Sequence, residues 1–220
     1  MPGMMKTTIV LGDDEKYRLD TFRVPRCYHE DLDHVLVPEG LLKDRIKRLA
    51  DEIHSTVGDE PITALCILKG GYRFFTSLTE ELSAARQNCR HPIVVEFIRL
   101  QSYTNTISKG EVEILGADPL HLLTGQNVVV MEDLVDTGLT MQKLIDELRK
   151  HNPKTVNVAC LFHKRLRNRS STGYVPDFTG FEIPDKFVVG YGLDYNQKFR
   201  DLNHVCVMNE KGIERHRQRD

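Results

Sequence analysis

The sequence predicts an α/β fold in which a twisted, mainly parallel sheet is flanked by helices. Two observations carry that prediction. Short apolar runs rich in β-branched residues recur at 62–68, 93–100, 128–131 and 156–162; runs of this kind suit strands buried on both faces. Segments with helical periodicity lie between them, and such alternation places helices over both faces of a parallel sheet. At 220 residues the chain is long enough for one well-buried domain and a small second lobe.

Taken in order, residues 1–20 carry little periodicity and are expected to drape over the surface. A helix is predicted from Pro38-Glu39-Gly40, with Leu42, Ile46, Leu49 and Ile53 as its core stripe and Gly58 as its stop. The strand at 62–68 is broken by Lys69-Gly70-Gly71, and a second helix follows over about 72–86. After the strand at 93–100, residues 101–126 are polar and weakly periodic, with Gly110, Gly116, Pro119 and Gly125. A connection that long in a compact domain is functional or mobile. The strand at 128–131 is expected to end at the acid pair Glu132-Asp133. In the helix that follows, Met141, Leu144, Ile145 and Leu148 share one face. Residues 156–162 form a further strand, and 186–191 and 204–209 read as the last two. Ligands of such sheets bind beyond the carboxyl ends of the strands. Lys69, the acid pair and Lys164 all fall at predicted ends of this kind.

Composition excludes several functions. A hydrophobic content of 40% with 28% charged residues is ordinary for a globular protein. A formal net charge of -2 argues against nucleic acid as a partner, and the basic tail Arg215-His216-Arg217-Gln218-Arg219 reads as a solvated end. No apolar run approaches a membrane span and the first residues lack a signal-peptide core, so a cytoplasmic protein without membrane partners is expected. The five cysteines form no C-x-x-C pair; Cys66, Cys160 and Cys206 sit in apolar runs and are expected to be buried thiols, as suits a reducing compartment. Asn168-Arg169-Ser170 matches a glycosylation pattern that means nothing without secretion. No H-E-x-x-H, G-x-x-x-x-G-K-[ST] or G-x-G-x-x-G occurs, which argues against a zinc hydrolase, a P-loop protein and a dinucleotide binder.

The functional centre is the run from Val128 through Glu132-Asp133-Leu134-Val135-Asp136-Thr137-Gly138-Leu139-Thr140 into the next helix. Its parts make a holder for a sugar phosphate. Backbone N–H groups of the turn and the positive helix end face an anion, and Thr137 and Thr140 add hydroxyl donors. The acid pair stands about where ribose hydroxyls would need acceptors. Taken alone, Asp136 could equally be an N-cap, Lys164 a surface lysine, Phe187 a core residue and Lys69-Gly70-Gly71 a plain turn.

This pattern resembles the phosphoribosyl-pyrophosphate signature of the type I phosphoribosyltransferases. The resemblance extends to Leu68-Lys69-Gly70-Gly71, Arg99-Leu100-Gln101-Ser102-Tyr103, Lys164-Arg165, and the stretch from Pro176-Asp177-Phe178 to Asp201-Leu202-Asn203-His204. It spans roughly residues 20–210, and the C-terminal stretch looks like the hypoxanthine-guanine branch of animals.

The resemblance implies a small hood lobe built from N-terminal and C-terminal segments, and a mobile active-site loop over 101–126 that includes Ser102 and Tyr103. It implies transfer of phosphoribosyl from 5-phosphoribosyl-1-pyrophosphate to hypoxanthine or guanine, giving IMP or GMP, with Mg2+ as cofactor and a homo-oligomer, dimer or tetramer. Glu132 and Asp133 then contact ribose hydroxyls. Asp136 exchanges a proton with N7 of the base, while Thr137, Gly138, Leu139 and Thr140 hold the phosphate. Lys69 and Gly70, with a non-proline cis peptide between them, and Arg200 serve the diphosphate. Lys164 donates to O6, Phe187 stacks on the purine, and backbone groups of Val188 and Asp194 read its other edge. Asp194, Glu132 and Asp133 are the implied metal ligands. Two departures, Leu139 and Gln101, each stand where the mammalian pattern has a basic residue, which puts donor affinity in question.

Overall fold

The structure, a computed structural model, describes residues 7–102, 112–115, 120–166 and 173–217. In chain order its elements are β1 (Ile9–Val10), β2 (Leu32–Val37), α1 (Glu39–Val57), β3 (Ile62–Leu68), α2 (Tyr72–Ala85), β4 (Ile93–Ser102) and β5 (Val112–Leu115). There follow β6 (Asn127–Val135), α3 (Leu139–Arg149), β7 (Thr155–Arg165), β8 (Phe178–Pro184), β9 (Val188–Val189), β10 (Val205–Met208) and α4 (Glu210–His216). The main sheet has seven strands in the order β1-β8-β7-β6-β3-β4-β5. All neighbours are parallel except β4 and β5. A second sheet, β2-β10-β9, is antiparallel and joins an early strand to two late ones.

Strict alternation along the central strands builds two cores. Ala64, Cys66, Val129, Met131, Ala159 and Leu161 face the side packed with residues of α1 and α2. Leu65, Ile67, Val128, Val130, Val158 and Cys160 face α3, whose Met141, Leu144, Ile145 and Leu148 are buried against them. The small sheet divides less regularly, with register shifts between β2 and β10: Leu36, Val37, Val205 and Val207 join the first core, while Val35, Val189, Cys206 and Met208 pack with Phe199 and Leu202 in a third.

Helix α1 follows its predicted stripe and ends where Gly58, at φ 66°, turns the chain, with its N–H bonded to the His54 carbonyl. Its amino end lacks a side-chain cap of its own; the Glu39 N–H instead donates to His204 Nδ1, 165 residues away. Two charged residues of α1 are buried, which its stripe did not predict. Arg45 donates to Glu52 Oε1 and to the carbonyls of Thr179 and Gly180, each at 3.0 Å. That network ties α1 to β8.

Several expectations are corrected. Strands β1, β2, β5 and β8 were not anticipated from the sequence. In β8, Gly, Glu and Pro interrupt the apolar run, yet the strand forms because Gly180 lets the Leu161 carbonyl approach within 2.7 Å of where a Cβ would stand. The N-terminal segment does not merely drape, since β1 adds an edge strand to β8. The acid pair does not end its strand: pairing with β3 stops at Met131, but β7 continues to Val135, so β6 runs through both carboxylates. Lys164, by contrast, does stand at a strand's carboxyl end, as the penultimate residue of β7, paired with Ile183. The last two predicted strands shrink to β9 and β10, and β9 stops at Val189 because Gly190, Tyr191 and Gly192 all take positive φ. The cis peptide joins Leu68 to Lys69, one bond earlier than the resemblance implies. The basic tail begins as α4, and Arg215 and His216 both pair with the buried Asp31, at 2.9 and 2.8 Å. A carboxylate so placed needs a countercharge, which Arg215 supplies, and the His216 ring hydrogen bond helps dock the helix. Tyr103, half of the 101–126 loop and the Asn168 sequon lie outside the described residues.

Candidate active site

The turn between β6 and α3 is held in one shape by Gly138. Its φ of 78° is one that L side chains rarely adopt, and a Cβ there would collide with the Tyr174 carbonyl oxygen. The Gly138 carbonyl accepts from Gln142 N at 2.9 Å and Tyr174 N at 3.1 Å, so the turn is braced on both sides. Thr137 Oγ1 accepts from Leu139 N at 3.4 Å. No acidic residue occupies the first turn of α3, so the helix end keeps its positive character. Thr137, Leu139 and Thr140 are exposed. A cavity of about 260 Å³ opens here, lined by Glu132, Asp136, Thr137, Gly138 and Thr140 among others. Backbone N–H groups, hydroxyls and a helix dipole converging on one hollow suit an anion such as a phosphate.

Beside it, Asp133 is buried and its Oδ1 accepts from Leu134 N at 2.9 Å. Gly70 presses on the same carboxylate: a Cβ at that position would collide with Asp133 Oδ2. Lys69 is exposed at the start of this turn. Burial first, and then the charge of Asp133, push the Glu132 carboxyl well above its ordinary range. Two adjacent carboxylates in that state are a hard oxygen donor set that a divalent cation would relieve.

A second cavity, of about 380 Å³, is lined by Gly70, Asp133, Asp136, Lys164, Phe187 and Asp194, with Leu134, Val188 and Leu193 completing it. Asp136 and Leu134 line both hollows. Lys164 is no surface lysine. Its side chain is only 12% exposed, and its ammonium lies 3.4 Å from Asp185 Oδ1 and 3.7 Å from Asp136 Oδ2. Phe187 is no core residue either, being 40% exposed with its ring edge-on to Tyr195 at 5.0 Å. Val188 is buried in β9.

Asp194 is already engaged. Its Oδ1 pairs with Arg200 at 2.7 Å and its Oδ2 accepts from Gln197 N at 2.8 Å. Arg200 also donates to the Gly192 carbonyl at 2.6 Å. The two cavities therefore bring together Gly70, Glu132, Asp133, Asp136, Thr137, Gly138, Thr140, Lys164, Phe187, Val188 and Asp194, while Lys69, Leu139 and Arg200 flank them and Ser102 lies in β4 opposite Val112. Two site residues escaped the sequence reading. Asp185 is the nearer of the Lys164 partners, and Gly192, at φ 102°, lets the chain pass 2.5 Å from the Gly70 carbonyl, measured from where its Cβ would be. The spacing Gly190-Tyr191-Gly192 was the available signal. Tyr191 anchors that turn, with its hydroxyl 2.8 Å from Ser77 Oγ and Arg73 over its ring at 4.7 Å.

Comparison with known proteins bears on this geometry. A family model described as "Phosphoribosyl transferase domain" matches residues 37–196. The chain is 52% identical over 208 residues to the hypoxanthine-guanine phosphoribosyltransferase of Sus scrofa, covering 93% of this chain and 94% of the relative. It is 49% identical over 214 residues to the enzyme of that name from Mus musculus, covering 96% and 97%. Among solved structures, hypoxanthine-guanine phosphoribosyltransferase from Schistosoma mansoni in complex with IMP superposes with a TM-score of 0.79 at 35% identity, covering 96% of this chain and all of that one.

Proposed function

The chain belongs to the phosphoribosyltransferase family, and from that membership we propose how its own residues carry a purine-salvage reaction. The enzyme transfers the 5-phosphoribosyl group of 5-phosphoribosyl-1-pyrophosphate to hypoxanthine or guanine, giving IMP or GMP and diphosphate. One observation supports this most directly: a phosphate seat and an aromatic, polar cavity adjoin and share Asp136. A sugar phosphate in the first and a purine in the second would meet at that carboxylate.

In this reading the purine lies against the exposed face of Phe187, and Lys164 donates to O6. Backbone groups of Val188 and Asp194 take the other edge. The turn 137–140 holds the 5-phosphate, and Glu132 and Asp133 accept from the ribose hydroxyls. Asp136 is within reach of N7 and moves the proton there. Lys69-Gly70 and Arg200 stand toward the leaving diphosphate, where a planar guanidinium matches phosphate oxygens. Arg200 does so by exchanging its Asp194 partner for the diphosphate.

The carboxylates of Glu132, Asp133 and Asp194 suit Mg2+, which would supply charge neutralisation of the diphosphate when bound. The pressure between Glu132 and Asp133 supports that fit.

A homo-oligomer, dimer or tetramer, is supported by Val94, Val95 and Phe97 on β4, which are 40–47% exposed. Among the described residues no helix is long and apolar enough to cross a membrane. A cytoplasmic setting is supported by five free cysteines.

Steady-state kinetics with hypoxanthine, guanine, xanthine and adenine tests the reading. Turnover on the 6-oxopurines with adenine rejected is expected. Binding of IMP without turnover on any base would instead identify a catalytically silent nucleotide binder.

A further inference from the structure

A second cluster of ligand-type side chains lies at the far end of the sheet. His54 is in the last turn of α1, Asp59 precedes β3, and Cys89 is in the connection between α2 and β4. From there β3 runs seven residues to the Lys69 turn, so the cluster is on the order of 20 Å from the active site. One ligand atom from each of the three side chains lies within 4.8 Å of the other two.

Three features point to a cation. The His54 ring carries a buried nitrogen, Nδ1, without a hydrogen-bond partner, which is costly in a native fold unless something satisfies it. Cys89 Sγ donates to Asp59 Oδ1 at 3.0 Å, which places a single proton between two atoms that are both metal ligands once it leaves. The site also lies at the carboxyl end of the 19-residue α1, where the helix dipole favours positive charge. The neighbouring Arg86 donates through its two Nη atoms to the carbonyls of Gly58 and Glu60, while its Nε is buried without a partner.

We propose that His54, Asp59 and Cys89 form a structural site for a borderline-soft divalent cation of the zinc class, clamping the end of α1 to the segment that enters β4. The donor set of one imidazole nitrogen, one carboxylate oxygen and one thiolate selects zinc over magnesium or calcium, and a water completes four-coordination. On binding, the Cys89 thiol proton passes to solvent and the sulfur–metal bond takes its place.

The test titrates the full-length, reduced, chelator-treated protein with zinc by calorimetry, with excess magnesium present to occupy the active-site carboxylates. Cobalt(II) serves as the spectroscopic probe. One tight equivalent and a sulfur-to-cobalt charge-transfer band are expected, together with a rise in melting temperature. Cys89→Ser should abolish the band, and both it and Asp59→Asn should weaken zinc binding at least about tenfold, the loss that even an outer partner of a ligand causes. Asp59 is exposed, so its variant keeps the test valid if the serine variant folds poorly. Cys27→Ser, which alters an exposed thiol outside the cluster, should change nothing. Absence of saturable zinc uptake, or equal uptake by the wild type and both cluster variants, would overturn the site.

Discussion

Base choice offers the sharpest test of the purine cavity, through Lys164→Gln. The Lys164 ammonium has three protons and accepts nothing. One hydrogen bond is spent on Asp185 at 3.4 Å, Asp136 stands at 3.7 Å beyond hydrogen-bond range, and the side chain is 12% exposed. The ammonium is thus largely desolvated and keeps donor capacity for an oxygen at C6 of the base. A 6-oxopurine supplies that oxygen, whereas adenine presents an amino group that donates. Leaving the ammonium facing a second donor costs at least about 1–3 kcal/mol, more because it is charged. A buried polar site of this type rejects the wrong analogue by about 10⁴ in kcat/KM. Lys164→Gln replaces the charge with an amide that can turn either way, so the discrimination should collapse mainly through lost activity on hypoxanthine and guanine. A loss of about 10–100-fold corresponds to the 1–3 kcal/mol of the missing bond. Steady-state kcat/KM for hypoxanthine, guanine and adenine, on wild type and variant, measures both quantities. Comparable values for adenine and hypoxanthine in the wild type would refute the reasoning, as would a variant that keeps full discrimination.

Other expectations follow from neighbouring residues. Asp136→Asn should fold normally and lower turnover by roughly 10², the scale of a lost acid–base group; turnover within about threefold of wild type would remove Asp136 from the chemistry. Phe187→Ala should weaken IMP binding by roughly 1–3 kcal/mol, the range of base–aromatic stacking. Calorimetry on the folded variant decides it, since the 40% exposure of the ring leaves little packing to lose. Glu132 has a carboxyl raised above its ordinary value of 4.5, by burial first and Asp133 second. The folded protein keeps a proton that the unfolded chain releases, so this group favours folding below pH 4.5 and that contribution is lost as pH rises through the folded value. Glu132→Gln should therefore flatten the fall in melting temperature across that window in ligand-free protein; an unchanged slope would contradict the burial argument.

Much of this protein was legible in the order of its residues. Local periodicity is enough to mark α1 through Leu42, Ile46, Leu49 and Ile53, and to mark β3 and the β6–α3 unit, because each repeats the geometry of one element. The turn between β6 and α3 was legible too, since Gly138 and the two threonines lie within a few residues of one another. Tertiary structure decided the rest. Whether Lys164 is a surface cation or a desolvated donor depends on Asp136 and Asp185, which lie 28 and 21 residues away in sequence and meet it only where β7 ends beside β8. Strand β8 exists because Gly180 admits the Leu161 carbonyl and Arg45 satisfies two of its own carbonyls, relations that no local pattern encodes. The tail docks as the end of α4 because the buried Asp31 needs the Arg215 guanidinium, 184 residues downstream, and takes the His216 ring beside it. Periodicity reports which face of an element is apolar; only the folded chain determines which charges are left without water and must find one another.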